Sequence, residues 1–506
     1  VKPGRRSVAS SALIALASAL ALAASSEAQA AEPSPADAQA KPAAREAPKR
    51  LRYTLESVEL RGNTRTSAHV VLRYVKFRRG DLLDVDDPHI ELTRYRLLGT
   101  GFFSRVELSL RRGSQRGSAV LVIDVEERNT LVVQQLGMGI AADEDTAGNA
   151  KPISAYLGVQ AAETNLAGTG ITLGAGLALA ADQLALRTTF LDPTFAGSEW
   201  SASASLLYTN GLDFFGSRSV AFESPGLEQR KVTDYAVVAY TRFGGTVGVG
   251  HDLTAVSAFQ LDYHLEQIDA TVPTVASHMR GDRREPVDFS VLGGKSVLSS
   301  LRGRLAYDTR DAPFLATKGT LATLAITLGA APLGSDYAYQ KAELSLSGWF
   351  RLPWKHVVRL EAFAGAIAGS APFFEQFYVG DFSDFLPDRM LELSPDRRRP
   401  PNFLDTDIVE VRYGDYAAKL SAEYRIGVYR GRGSIYGVDL FASGGLYGVA
   451  THEDLTDPPS GYRGFQRVPI DLTTNLGLRV DTSVGGITLA FSNLFGFVPT
   501  RQGSRR

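Results

Sequence analysis

The sequence predicts a mostly-β fold: a transmembrane antiparallel β-barrel of about sixteen strands, preceded by one small α+β domain. Three observations carry this reading. From about Leu131 onward, apolar and polar residues alternate in segments of about ten residues, the length of a membrane-crossing strand. Beyond the N-terminal leader there is no uninterrupted apolar run of about 18 residues, so a membrane-embedded chain must cross with strands. The N-terminus reads as an export signal.

That signal has three parts. Lys2, Arg5 and Arg6 form a basic start, Val8 to Ala24 is apolar apart from a few serines, and Ala28-Gln29-Ala30 is a small-x-small cleavage site. The apolar run is too short and alanine-rich for an anchor helix, so residues 1–30 read as a signal peptide. Residues 31–50 are rich in Ala, Pro and charge without periodicity, and read as a disordered leader. The 506 residues carry 54 basic and 55 acidic side chains, a balance that gives no reason to expect a nucleic-acid partner. The absence of cysteine excludes disulfides and thiolate metal sites.

Residues 51–130 read as the small domain. Leu55 to Arg61 alternates and stops at Gly62-Asn63, a strand and its turn. Thr66-Ser67 can cap a short helix through Val75, and Gly80-Asp81 breaks the chain. Asp86-Asp87-Pro88 opens a second helix that ends at Gly99-Thr100-Gly101. Phe103 to Leu110 and Ala119 to Glu126 are two further strands, giving the order β-α-α-β-β. The pieces "VELRGNTRTS", "GDLLDVDD" and "LLGTGFFSRVELSLRRG" closely resemble a POTRA domain. The resemblance marks Gly62, Asn63 and Gly80 as turn residues, and Gly101, Phe102 and Phe103 as the link from the second helix to the next strand. It implies that the domain binds extended chains by adding a strand to an open sheet edge.

Residues 131–506 read as the barrel. Phe259, Leu261, Tyr263 and Leu265 alternate with Gln260, Asp262, His264 and Glu266, and the same period recurs over 341–347, 358–362, 419–426 and 472–481. The polar face carries charges of both signs, as a water-filled lumen does. A lipid-embedded sheet has to close, since an open edge leaves backbone groups unpaired. Connections are unequal: Gly244-Gly245 and Pro353-Trp354 read as tight turns, while 211–233, 270–297, 369–413 and 448–468 read as long loops. The longest contains the run Asp396-Arg397-Arg398-Arg399-Pro400-Pro401, read as a solvated loop.

Several pieces of the barrel resemble the BamA/TamA outer-membrane assembly family. "AETNLAGTGITL" (161–172) is similar to its N-L-x-G-x-G strand and turn, and "FLDPTFAGSEW" (190–200) to its F-x-[DE]-P-x-F-x-G turn. "YDTRDAPFLATKGT" (307–320) is similar to its D-x-R-D strand-turn-strand, which marks Asp308, Arg310, Asp311 and Gly319. "FFEQFYVGD" (373–381) resembles the approach to its lid loop, marking Gly380 and Asp381. The chain also departs from the family. Where the lid loop of the family carries V-R-G-[FY], this chain reads Phe385-Leu386-Pro387-Asp388, with Arg389 three positions late. The wall acid that pairs with the family arginine aligns with Ser443 in "FASGG". Either both partners are lost together, or the pair is rewired, for example as Arg389 with Asp439 or Glu423. The last strand reads as Ile487 to Phe497, followed by "VPTRQGSRR" instead of a terminal aromatic.

Enzyme signatures are missing: the sequence has no P-loop, no G-x-S-x-G and no H-E-x-x-H, and its seven histidines are scattered. Gly168-x-Gly170 leads into a strand and is a barrel turn; His264 is a lumen residue; the D-x-R-D acids form a strand-end ion-pair network. No cofactor or metal is expected. The resemblance implies an outer-membrane barrel with its N-terminal domain in the periplasm. Its partners would be the lipid bilayer, unfolded outer-membrane or secreted clients, and possible periplasmic accessory proteins. It would assemble or translocate clients held by strand addition; the alternatives are a passive or structural barrel and a secretion pore dedicated to one partner.

Overall fold

The computed structural model describes residues 52–84, 87–144, 150–216, 220–222, 231–233, 235–273, 276–383, 389–394, 402–431 and 433–492. The signal peptide, the leader, Phe385–Asp388, Asp396–Pro401 and the segment after Ser492 lie outside the described residues.

The small domain is β1 (Arg52–Arg61), α1 (Ala68–Arg73), β2 (Leu82–Asp84), α2 (Pro88–Gly99), β3 (Phe103–Arg112) and β4 (Ser118–Glu127). Its sheet order is β2-β1-β4-β3, with β1 parallel to β4 and β3 antiparallel to it. The sheet buries one face under the helices: Leu55, Leu121 and Ile123 pack with Val71, Leu97 and Phe103. The expected order lacked β2, because three residues are too few to show alternation. The cap of α1 also differs. Ser67 stands at the N-cap but its side chain makes no capping bond, and the Thr66 hydroxyl is used elsewhere, accepting from Asn165 of the barrel. Asp87 does cap α2, accepting from the His89 amide at 2.9 Å, with Pro88 at the first helical position. Gly62, Gly80 and Gly101 all have positive φ, and at Gly62 a Cβ would also overlap the Val125 carbonyl oxygen. Asn63 closes the adjoining turn through the Thr66 carbonyl at 3.1 Å.

The rest of the chain is almost entirely strand. In order come β5 (Leu131–Glu144), β6 (Ala150–Glu163), β7 (Thr172–Ala180), β8 (Gln183–Asp192), β9 (Trp200–Phe215), β10 (Val220–Phe222), β11 (Lys231–Thr233) and β12 (Ala236–Asp252). Then follow β13 (Ser257–Thr271), β14 (Ala276–Arg280), β15 (Arg283–Pro286), β16 (Gly294–Asp308), β17 (Gly319–Gly329), β18 (Ala338–Arg351) and β19 (His356–Ser370). The last are β20 (Phe377–Tyr378), β21 (Tyr413–Gly414), β22 (Tyr416–Arg430), β23 (Ile435–Ala450), β24 (Ile470–Thr482) and β25 (Gly485–Ser492). Among the described residues, fifteen of these form one antiparallel sheet running from β5 to β25, one short of the even number expected. The loop strands β10, β11, β14 and β15 form a separate four-stranded sheet, and β20 pairs with β21.

Alternation works in reverse of a soluble sandwich in the middle of the wall. On β13, Leu265 points outward and Glu266 is buried inside. Two residues on, the pattern inverts: Ile268 and Ala270 face inward while Gln267 and Asp269 face out. The inversion marks where the barrel leaves its apolar surroundings and its interior fills with loop residues. There Phe215, Phe289, Phe373, Phe377 and Tyr413 form a buried aromatic cluster. Gly244-Gly245 is not a turn. Both lie inside β12, where a Cβ would overlap the Leu265 and Ser205 carbonyl oxygens of the flanking strands. Pro353-Trp354 is the tight connection expected.

The small domain is tied to the end of the barrel where these short turns lie. Asn165 and Gly168 of the β6–β7 turn meet Thr66 and Ser67, at 2.9 Å each. Arg96 of α2 pairs with Asp252 at 2.9 Å, and Arg128 donates to the Thr482 carbonyl at 2.8 Å with its guanidinium over the Tyr436 ring. The loop that reaches Asn165 is itself held by Glu127, which accepts from the Thr64 hydroxyl at 2.7 Å and from the Arg65 and Thr66 amides at 3.0 and 2.6 Å. Burial alone would raise this carboxyl, but the hydrogen bonds from Thr64, Thr66 and Arg65 outweigh it and hold the group down at about 2. The folded value lies below the unfolded one, so the stabilisation is complete above about pH 4.5 and is lost as pH falls toward 2. Protection of the Arg65 and Thr66 amides against hydrogen exchange should weaken over that window. In Glu127→Gln the same amides should be weakly protected and insensitive to pH across it.

Candidate functional site: seam, lid loop and inner turns

Two edges bound the seam of the barrel. Every neighbouring pair in the fifteen-stranded sheet is antiparallel, so β5 and β25 run in the same direction. Among the described residues no ladder joins them. They are held together at the small-domain end alone, where the Val133 amide donates to the Val484 carbonyl at 2.7 Å and the Asn129 side chain donates to the Ser483 carbonyl at 3.0 Å. Arg128 adds its bonds to Asp481 and Thr482 on the same hairpin. The linker between the two domains therefore clasps the β24–β25 hairpin.

The D-x-R-D turn lies at that same end. Asp308 ends β16 and pairs with Arg310 at 2.7 Å. Asp311 accepts from the Thr317 amide and hydroxyl at 2.7 and 2.6 Å, and a Cβ at Gly319 would overlap the Thr309 carbonyl oxygen. These four residues shape one turn, the strand-end network that the sequence suggests. Beyond them the turn reaches across the wall: Arg425 of β22 donates to the Ala316 carbonyl, and Leu315 and Phe314 lie against Gly437 and Gly486. In the 190–200 piece, Asp192 likewise orders its turn by accepting from the Thr194 amide at 2.8 Å.

The described residues of the lid loop, 371–383, 389–394 and 402–415, fold into the lumen. Gly380 is buried at the start of a single helical turn, and Asp381 beside it pairs with Arg389 at 2.7 Å. The Arg389 guanidinium also lies over the Tyr378 ring. The rewired pair is thus not the one expected. Asp439 is taken by Arg425 at 3.0 Å and by Arg430, and Glu423 by Arg479 at 2.6 Å. Arg389 finds its acid eight residues away within its own loop, which holds the loop's shape without tying it to the wall. Ser443 accepts from Asn475 at 3.3 Å, a neutral contact where the family acid aligns.

The wall carries its own charge cluster, which sequence reading did not single out. Arg242 of β12 is buried against Glu266 of β13 and lies over the Phe374 ring of the lid loop. His264 bridges Glu266 at 3.0 Å and the Thr246 hydroxyl at 2.9 Å, confirming a place in the lumen. Both Arg242 and Glu266 sit on the polar face of alternating strands, so their side was legible while their pairing across strands was not. Buried ion pairs are strongly coupled. Arg242→Met should lower stability by about 3–5 kcal/mol by stranding Glu266 and loosening Glu392, and adding Glu266→Leu should recover the part due to Glu266. Loss of heat-modifiable electrophoretic mobility against urea would measure both, and an equal loss in the two variants would sink the expectation.

Comparisons agree with this geometry. Residues 165–499 match the Omp85 superfamily domain, and residues 53–128 match POTRA, the surface antigen variable number repeat. The outer membrane protein assembly factor BamA of Nitratidesulfovibrio vulgaris is 24% identical over 357 residues, which are 69% of this chain and 39% of the relative. The chain thus spans about two fifths of that relative's length. CdiB from Escherichia coli shares the fold at 12% identity and a TM-score of 0.51, over 88% of this chain and 74% of CdiB. BamA from Haemophilus ducreyi lacking POTRA domains 1–3 aligns at 14% identity and a TM-score of 0.45, over 87% and 81%. Members of this superfamily such as BamA are non-enzymatic. The Omp85 match covers more than half of the sequence: the chain belongs to the Omp85 superfamily of outer-membrane β-barrels.

Proposed function

We propose that the chain assembles client proteins into the outer membrane or passes them across it, holding them first at the small domain on the periplasmic side and then at the barrel seam. The observation that carries this reading is the seam itself: among the described residues no ladder joins β5 and β25. A guest strand can pair with an edge that opens there, and lipid leaves an unpaired edge no other partner. The β3 edge of the small domain supports the first step. It is the outer strand of its sheet, and a groove of about 630 Å³ beside it is lined by Tyr53, Ile90, Leu108 and Leu110. In this reading Gly62, Asn63, Gly80, Gly101, Phe102 and Phe103 shape the capturing domain. Asp308, Arg310, Asp311 and Gly319 shape the β16–β17 turn, whose Phe314 reaches Gly486 of β25, and Gly380, Asp381 and Arg389 shape the lid loop. The clients are unfolded outer-membrane or secreted chains, and periplasmic accessory proteins would deliver them.

A passive pore is the weaker reading. The aromatic cluster of Phe215, Phe373, Phe377 and Tyr413 fills the far end of the lumen, which speaks against steady conductance.

Reconstitution tests the proposal. The full chain in lipid vesicles should speed heat-resistant, protease-protected folding of an unfolded outer-membrane barrel relative to empty vesicles. Single cysteines at Ser109 of β3 and Met138 of β5, in a chain that otherwise has none, should crosslink that client, Ser109 earlier than Met138. Folding at the rate of empty vesicles, with no crosslink at either position, would sink the reading.

A further inference from the structure

The tip of the lid loop is a two-residue turn. Met390 and Leu393 exchange two backbone hydrogen bonds of 2.9 Å, and the residues between them, Leu391 and Glu392, have φ of 47° and 72°. Positive φ at both central positions suits Asn and Gly, so Leu and Glu are held there against their own preference. Something outside the turn must over-determine it.

The surroundings supply two holds. Met390 lies against Gly137 of β5 and Gly158 of β6, and Leu391 against Gly176 of β7; a Cβ at any of the three would crowd these side chains. Ala178 and Ala185 complete the apolar seat. The second hold is charge. The Glu392 carboxylate pairs with Arg187 of β8 and, at 2.7 Å, with Arg242 of β12. Arg242 is almost fully buried and keeps its second acid, Glu266, in the wall. The Glu392 side chain is 35% exposed to the lumen, and a carboxylate shared between two guanidiniums, one of them buried, is a charge-assisted contact of the stronger kind.

We propose that Glu392 is the lock of the lid loop, an acid on the loop held by arginines on the wall. The lock seats the Met390–Leu393 turn across the inner face of β5, β6 and β7, beginning at the seam strand itself, and ties those strands through the loop to β8 and β12. While it holds, the seam strand is braced from inside; when it opens, the inner face of β5 is freed. The geometry stands whether or not the barrel handles clients, so it can fail or succeed apart from the proposed function.

The test uses the full chain with Met390→Cys as its sole cysteine, folded in vesicles and confirmed by heat-modifiable mobility. A lumenal cavity of about 680 Å³, lined by Gln135, Arg187, Arg242 and Arg389 among others, gives a small maleimide access beside the turn. Met390 is 2% exposed, so labelling should be slow with Glu392 present. Glu392→Gln and Glu392→Asn should each raise the labelling rate by roughly tenfold or more, the scale of one lost charge-assisted contact. Asparagine tolerates the left-handed turn but carries no charge. Protection retained in Glu392→Asn would therefore assign the hold to backbone shape and overturn the proposal, as would unchanged labelling in both variants. Should either variant fail to fold, Arg187→Gln decides, with faster labelling supporting the lock and unchanged labelling overturning it.

Discussion

A β-sheet in hydrocarbon has to pair the backbone groups at its two outer edges, and in this chain that requirement bears on one line, the seam between β5 and β25. The other strands of the sheet are paired on both sides with continuous ladders. At the seam the described contacts gather at one end, where the linker residues Arg128, Asn129 and Val133 reach the β24–β25 hairpin. The small domain is anchored beside that clasp and at the β6–β7 turn. Motion of the small domain and motion of the seam therefore share residues. Arg128 shows this most directly: its backbone bonds Phe102 and Arg65 of the small domain, while its almost buried side chain reaches Asp481, Thr482 and Tyr436 of the barrel.

The lumen is built in zones that follow from strand geometry. A side chain that faces inward in the middle of the wall meets charge: Arg242 with Glu266, Arg302 with Glu343, Arg359 with Glu361. Two or four residues further along the same strands, the inward positions meet aromatic rings of the lid loop. Period-two alternation alone cannot supply both zones, so β13 changes which face is apolar between Glu266 and Ile268. The charged zone leaves a cavity of about 680 Å³ beside the loop tip. The aromatic zone fills this end of the barrel with loop residues, among them Phe382 of the short helical turn.

How much of this could be read in the sequence depends on the range of the interactions. Strands such as β13, β18 and β22 were legible because a half-buried strand writes its period into ten consecutive residues. The small domain was legible because its turns require Gly62, Gly80 and Gly101 at particular points. The D-x-R-D network was legible because its partners, Asp308 with Arg310 and Asp311 with Thr317, lie within one turn. β2 was too short to show a period. Gly244-Gly245 was misread because glycine marks close backbone approach as well as reversal, and composition does not separate the two. The loop-to-wall pairs stayed hidden for a different reason. Glu392 and Arg187 are 205 residues apart, and the text around Glu392, Met-Leu-Glu-Leu-Ser, carries no sign of a charge partner.

The missing family arginine then has a physical account that does not need decay of the machinery. A loop inside a water-filled barrel can be fixed by any complementary pair that is desolvated and geometrically constrained, and the sign of the loop's charge is free so long as the wall carries the opposite one. In this chain the wall position that aligns with the family acid is a neutral serine, and the wall arginines on β8 and β12 face an acid on the loop. Moving the contact from β23 to β8 and β12 also moves the loop tip onto β5, β6 and β7. The change in charge and the change in position are one event: an arginine at the tip would be repelled from Arg187 and Arg242, and a glutamate at the old position would find Ser443. In the folded molecule the loop meets the wall through Glu392 with Arg187 and Arg242, and also through Arg412 with Asp213 of β9 at 3.3 Å.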